Sequence, residues 1–282
     1  MKKLLVAVLA LIMLFSFANA EEVVSIEGGG WNIPATICMP EGEGPFPLVV
    51  MYHGTGSNRE EAGNGYKMLA PLLAEKGIAS VRFDFVGNGD STASYRHYTL
   101  TSGVRDGRRV IDYMLEKPEI DPDKIGVIGW SQGGTVAMLT AAWYDDIKAL
   151  VTWAGATDLM HNFGSMYEEA EQNGFAKMEF DWREPLELSL AWFDEARDID
   201  VAHELSNYTG AIFVLAGEND TVVPLETMEE ITSNTGSKYI ASEIIKDADH
   251  TFNVFSDPEL KAYKELAEKT VNFFEEMFGL IE

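Results

Sequence analysis

The segment Lys124–Gly134, KIGVIGWSQGG, constrains the fold more than any other stretch of the chain. A short strand run, KIGVIG, passes without a linker through Trp130-Ser131-Gln132 into the helical spacing of Gly133–Tyr144. A serine flanked by glycines at such a junction makes a sharp strand-to-helix turn. No Cβ fits where the two backbones meet, and the turn lifts the Ser131 hydroxyl above the sheet. The helix that starts there adds unpaired N–H groups and the positive end of its dipole.

The remaining periodicities agree with a sheet crossed by helices. Val23–Met39 reads as two strands around Gly28-Gly29-Gly30, a hairpin turn rather than a phosphate cradle because no helix follows it. Pro47–His53, Ile78–Phe85, Lys124–Gly129, Ile147–Trp153, Ala211–Ala216 and Lys238–Ile245 read as six further strands. Glu60–Lys76, Val104–Glu116, Gly133–Tyr144 and Asp257–Phe278 carry helical spacing. The strands are unbroken apolar runs, as strands covered on both faces must be. The pattern predicts an α/β fold with a mostly parallel, eight-stranded sheet flanked by helices. Ala156–Gly210 breaks the rhythm, being far longer than the ~15–20 residues a crossover helix needs. Rich in acids and aromatics, it reads as an insertion with structure of its own.

A serine is a weak nucleophile unless a base activates it and a third group orients the base. Of the five histidines, His250 is best placed, in DADHTF after the last strand and before the last helix. Loops at strand C-termini are where open α/β sheets keep their chemistry. His53 ends an earlier strand and reads as structural. The acid falls in GENDTVVP after the seventh strand, with Asp220 the choice and Glu218 the alternative. The order Ser131, Asp220, His250 is that of an α/β-hydrolase triad. For the oxyanion hole, the N–H of Gln132 follows the nucleophile. The N–H of Thr55, in His53-Gly54-Thr55-Gly56-Ser57, supplies the second donor.

On these residues the chain resembles α/β-hydrolase serine esterases over the whole length that follows residue 20, and within them the cinnamoyl and feruloyl esterases. The segments that carry the resemblance are HGTGSNRE, RFDFVGNGDS, IGVIGWSQGG, LAGENDTVVP and DADHTF. It implies a Ser-Asp-His triad, a two-amide oxyanion hole and a small cap, here 156–210, inserted between strands 6 and 7. It also implies hydroxycinnamoyl or short-acyl esters as substrates, with a polar cap residue on the substrate's aromatic hydroxyl, for which Asp158 is the nearest candidate. Trp182 and Trp192 are the expected apolar wall for the acyl group. One departure stands out: Asn88 occupies the centre of Gly87-Asn88-Gly89, where the family usually carries histidine.

Composition narrows the partners. Residues 1–20 carry Lys2 and Lys3, an apolar run and Ala18-Asn19-Ala20, the order of a secretory signal peptide cut after Ala20. That leaves 21–282 as a single hydrolase domain, secreted or periplasmic, with no stable membrane anchor. The net charge of −25 becomes two units more negative when the lysines leave. Such a surface repels nucleic acid, anionic membranes and polyanionic ligands such as coenzyme A. A thioesterase acting on coenzyme A esters is therefore disfavoured, and a peptidase with a propeller domain has no room. A lipase or thioesterase-like acyl hydrolase stays as the alternative, although the cap is not a long apolar lid. A non-catalytic binding protein would be expected to have lost a triad position. The single cysteine, Cys38, reads as core and excludes zinc sites built on cysteine pairs. The expected partner is a small-molecule or carbohydrate-linked ester, and the chemistry needs neither metal nor organic cofactor.

Overall fold

The computed structural model describes residues 21–281, so the expected signal segment lies outside the described residues. The chain opens with an antiparallel pair, β1 (Glu21–Glu27) and β2 (Asn32–Cys38). There follow β3 (Phe46–Tyr52), α1 (Gly65–Glu75), β4 (Ala79–Phe83), α2 (Leu100–Leu115), β5 (Ile120–Trp130), α3 (Gln132–Trp143) and β6 (Ile147–Trp153). The insertion holds α4 (Met160–Phe163), α5 (Tyr167–Asn173), a hairpin of β7 (Phe175–Met178) and β8 (Leu186–Ser189), α6 (Leu190–Asp198) and α7 (Val201–Leu205). Then come β9 (Ala211–Gly217), α8 (Glu226–Asn234), β10 (Ile240–Ile245) and α9 (Lys261–Met277).

Eight strands form one sheet in the order β1-β2-β4-β3-β5-β6-β9-β10. β2 runs antiparallel to β1 and β4, and the other pairings are parallel. This is the α/β-hydrolase fold expected from the sequence. The strands are apolar throughout because each feeds two cores. In β3, Leu48, Val50 and Tyr52 pack on one face of the sheet, while Val49 and Met51 pack on the other. The first core is closed by α2 and α3, the second by α1 and α9. Period-2 alternation thus divides side chains between cores rather than between core and water.

Helix α3 is buried on nearly every side, from Gln132 to Ala141, because α2 and α7 cover the faces that the sheet leaves. α7 therefore belongs to the body although it lies inside the insertion. α2 begins four residues before the expected Val104, where a capping box sets its start. Ser102 N–H donates to Thr99 Oγ1 at 3.1 Å and Thr99 N–H to Ser102 Oγ at 2.8 Å, a device that contributes about 1 kcal/mol. α1 begins later than the expected Glu60, because residues 58–64 form turns with positive φ at Glu61 and Asn64. Those turns face the site. Among the described residues no helix is long and apolar enough to cross a membrane.

Candidate active site

Three strand ends converge on one point. Ser131 sits between β5 and α3 with φ 55° and ψ −125°, a region costly for any residue with a Cβ. The fold holds it there by close packing. A Cβ on Gly133 would lie 2.0 Å from the Tyr52 carbonyl oxygen, so α3 approaches the end of β3 more closely than any other residue type permits. The Ser131 N–H donates to the Trp153 carbonyl at 2.9 Å, tying the turn to β6.

Asp220 follows β9, fully buried at its side chain. Its Oδ1 accepts from Val222 N–H at 2.8 Å and Val223 N–H at 2.9 Å, which leaves Oδ2 to face His250. His250 follows β10. Its Nδ1 lies 2.8 Å from Asp220 Oδ2 and its Nε2 lies 3.1 Å from Ser131 Oγ. A carboxylate only accepts, so Nδ1 carries the proton and Nε2 is left to accept from the serine hydroxyl. The loop around His250 is fixed by Asp249, whose Oδ1 accepts from the N–H of Thr251 and Asn253 and from the Thr251 hydroxyl. Trp130 Nε1 donates to the His250 carbonyl at 3.1 Å. Glu218, the alternative acid, points elsewhere and accepts from Asp247 N–H.

The turn after β3 supplies the opposite wall. Ser57 N–H donates to the Gly54 carbonyl at 3.2 Å, closing Gly54–Ser57. Thr55 and Gln132 border the cavity beside Ser131. Their N–H groups donate to no protein acceptor among the described residues, which leaves both free for a ligand. Glu61 holds the turn from below, one oxygen accepting from Gly54 N–H and the other from Ala62 N–H. Burial pushes the Glu61 carboxyl up to about 7, against the N–H groups and the Ser57 hydroxyl that favour its anion. Sequence reasoning missed this residue.

His53 is structural, as expected. It donates from Nδ1 to the Gly54 carbonyl at 2.8 Å and accepts at Nε2 from Phe85 N–H at 3.1 Å. Burial lowers its pKa to about 4. The unfolded chain, with an ordinary histidine near 6.5, binds a proton that the folded one refuses. Stability from this group is therefore complete above pH ~6.5 and is lost as the pH falls toward 4, by about 3 kcal/mol in all. Urea unfolding of wild type and His53→Asn at pH 7 and 4.5 checks this. The difference between the two proteins should shrink markedly at the lower pH, and an unchanged difference would contradict it.

A cavity of about 730 Å³ opens over Ser131. The cap gives it Leu159, Phe163, Met178, Phe180 and Trp182, an apolar lining. Trp182 lines this cavity and is 65% exposed, at its rim. Trp192 does not. It is fully buried inside the cap, edge-on to Phe163 at 5.4 Å and to Phe193 at 4.9 Å, one layer behind the wall. Helix α6 starts at the Ser189 cap and turns Trp192 inward, so its expected place on the acyl wall is corrected to a packing role. Asp158 is also displaced. It accepts from His161 N–H at the start of α4 and borders a neighbouring groove with Glu226 and Glu230, not the cavity over Ser131. Cys38 is buried in β2, and burial raises its thiol to about 11, so it is a core side chain.

The signature of the prolyl oligopeptidase family matches residues 65–280, well over half of the chain. The chain belongs to the prolyl oligopeptidase family. The match spans α1 to the end of α9 and so includes every triad candidate of this family member. The chain is 27% identical over 228 residues to 2,6-dihydropseudooxynicotine hydrolase of Paenarthrobacter nicotinovorans, covering 78% of itself and 57% of that protein. It is 26% identical over 210 residues to the human mitochondrial palmitoyl-protein thioesterase ABHD10, covering 71% of itself and 67% of that protein. It spans little more than half the length of the first curated relatives. Est1E of Butyrivibrio proteoclasticus, solved with ferulic acid bound, has the same fold. Its TM-score is 0.74 at 24% identity, over 91% of this chain and 99% of that one. This prolyl oligopeptidase family member has the α/β-hydrolase fold.

Proposed function

We propose that the chain is an exported serine carboxylic-ester hydrolase that works through an acyl-enzyme on short-acyl or hydroxycinnamoyl esters. One observation carries the reading. Ser131, His250 and Asp220 form an unbroken hydrogen-bonded chain that opens into an apolar cavity. On this reading His250 Nε2 takes the Ser131 proton as Oγ attacks the ester carbonyl, and Asp220 holds the imidazole tautomer and stabilises the imidazolium. The N–H groups of Thr55 and Gln132 bind the oxyanion. The imidazolium returns its proton to the departing alcohol, and a water attacks the acyl-enzyme by the same route. Export rests on the charged, apolar and small-residue order of residues 1–20.

The cap's aromatic side chains support a flat acyl group, with Trp182 alone of the two expected tryptophans on the wall. Trp182→Ala should raise KM for methyl ferulate about tenfold while changing KM for p-nitrophenyl acetate less than twofold, since an acetyl group is too short to reach the rim. Trp192→Ala should instead lower stability by the roughly 3–5 kcal/mol that emptying a buried tryptophan site costs, read as a lower melting temperature. An activity panel of p-nitrophenyl esters, methyl ferulate and acyl thioesters tests the reaction class. Turnover of thioesters alone would move the reading to a thioesterase, and no turnover of any ester would retire it.

A further inference from the structure

The turn that presents Thr55 is also gripped from above, by the cap. Arg183, in the β7–β8 hairpin, donates from Nη1 to the Gly56 carbonyl and to Asn88 Oδ1, the latter at 2.9 Å. Its Nε donates to the Glu184 carbonyl at 3.3 Å. Among the described residues all its bonds go to neutral oxygens, in a chain with 46 acidic side chains. No carboxylate among the described residues holds it, and its partial burial pulls its pKa down, the reverse of a surface ion pair. Phe180 completes the grip. A Cβ on Gly56 would lie 2.7 Å from Phe180 Cζ, and the Arg183 guanidinium stands 5.7 Å from that ring.

Two features of the turn make such a grip necessary. Gly56 has φ +69° and no side chain, so its backbone can fall into several conformations of similar energy. Its only internal tie is the Ser57 N–H to Gly54 carbonyl bond, at 3.2 Å. A donor on the Gly56 carbonyl selects one conformation. Asn88 explains how that donor is held. It is buried, and it stands at the position where the sequence departs from the resembling esterases. A guanidinium only donates, so the amide oxygen must face it, and an amide accepts at every pH where histidine would titrate.

We propose that Arg183 is a positioning residue for the oxyanion hole. Docked with the cap and held by Asn88, it fixes the Gly56 carbonyl and with it the direction of the Thr55 N–H. The inference rests on the reading of Thr55 and Gln132 as oxyanion donors. It makes the cap part of the catalytic geometry as well as a wall for the acyl group.

The test is steady-state hydrolysis of p-nitrophenyl acetate by wild type, Arg183→Ala, Arg183→Lys and Asn88→Ala, with rates expressed per serine titrated by a fluorophosphonate. Arg183→Ala should lose about tenfold to a hundredfold in kcat with KM within threefold, a fraction of what losing an oxyanion donor outright removes. Guanidinium ion, added at concentrations well below those that unfold the protein, should restore part of that kcat and leave wild type unchanged. Arg183→Lys should recover little, because a point charge does not span Gly56 and Asn88 together. Asn88→Ala should act in the same direction, and its effect should vanish in the Arg183→Ala background. If Arg183→Ala does not fold, Arg183→Lys and Asn88→Ala carry the same comparison. A kcat per titrated serine within twofold of wild type in these variants, or a loss confined to KM, overturns the proposal and leaves the hydrolase reading intact. A wild type that turns over no ester and titrates no serine overturns both.

Discussion

Ser131→Ala is expected to lower kcat for p-nitrophenyl acetate by on the order of 10⁴-fold or more, with the melting temperature nearly unchanged. The size follows from the hydrogen-bonded chain. Among the described residues His250 Nε2 is hydrogen-bonded to no other nucleophile, so removing Oγ at 3.1 Å leaves the imidazole only water to activate. What remains is whatever the two free N–H groups and the cavity can do alone, which in triad enzymes is a small residue of the total. The fold should tolerate the change because among the described residues the hydroxyl bonds only to His250, and alanine takes on the same φ of 55° at similar cost. Retention of more than a hundredth of wild-type kcat would exclude Ser131 as nucleophile.

Gly133→Ala is expected to be the most damaging single methyl group in the chain. Its Cβ would stand 2.0 Å from the Tyr52 carbonyl oxygen and 2.5 Å from that of His53. Both are backbone atoms in or next to a central strand, with neighbours on either side in the sheet, so neither can yield as a side-chain tip would. Either α3 tilts away from β3 or the end of β3 moves. The first displaces Ser131 and Gln132, and the second displaces the Gly54–Ser57 turn. Stability should fall by on the order of 4 kcal/mol or more, and activity should be lost in whatever fraction stays folded. A soluble variant melting within a few degrees of wild type and retaining kcat would show that the two backbones do not meet as described.

These two positions also show why so much of the site was legible in the sequence. Ser131, Asp220 and His250 each follow a strand, and a parallel sheet brings strand C-termini to one edge whatever the loops between them contain. Their meeting at one point could therefore be read from order and strand ends. Gly133 was legible for the same reason, since a strand that passes directly into a helix needs a glycine where the backbones cross. The cap offers no such rule. Trp182 and Trp192 lie ten residues apart in segments of similar composition, yet one stands at the rim and the other inside, because Ser189 sets the rotation of α6. Asp158 was placed by its distance from β6, which does not tell which of two neighbouring grooves its carboxylate faces.

Glu61 and Arg183 were missed for a different reason. Beside Glu60, Glu61 reads as one more surface acid, and Arg183 as one more surface base. Glu60 does what a surface acid does and pairs with Arg82. Glu61 turns under Gly54 only because its own φ is +63°, and Arg183 reaches Gly56 only because a hairpin far along the chain folds over it. Both depend on contacts between segments, which no local pattern in the chain encodes.

If Ser131 is an activated nucleophile, a fluorophosphonate should find it, because only an activated serine reacts at low probe concentration. Wild-type protein incubated with the probe at pH 8 should gain the mass of one phosphonyl group. That mass should map to the peptide containing Gly129-Trp130-Ser131-Gln132-Gly133, and Ser131→Ala and His250→Ala should gain none. An unlabelled wild type, or a label on any other serine, would contradict the account.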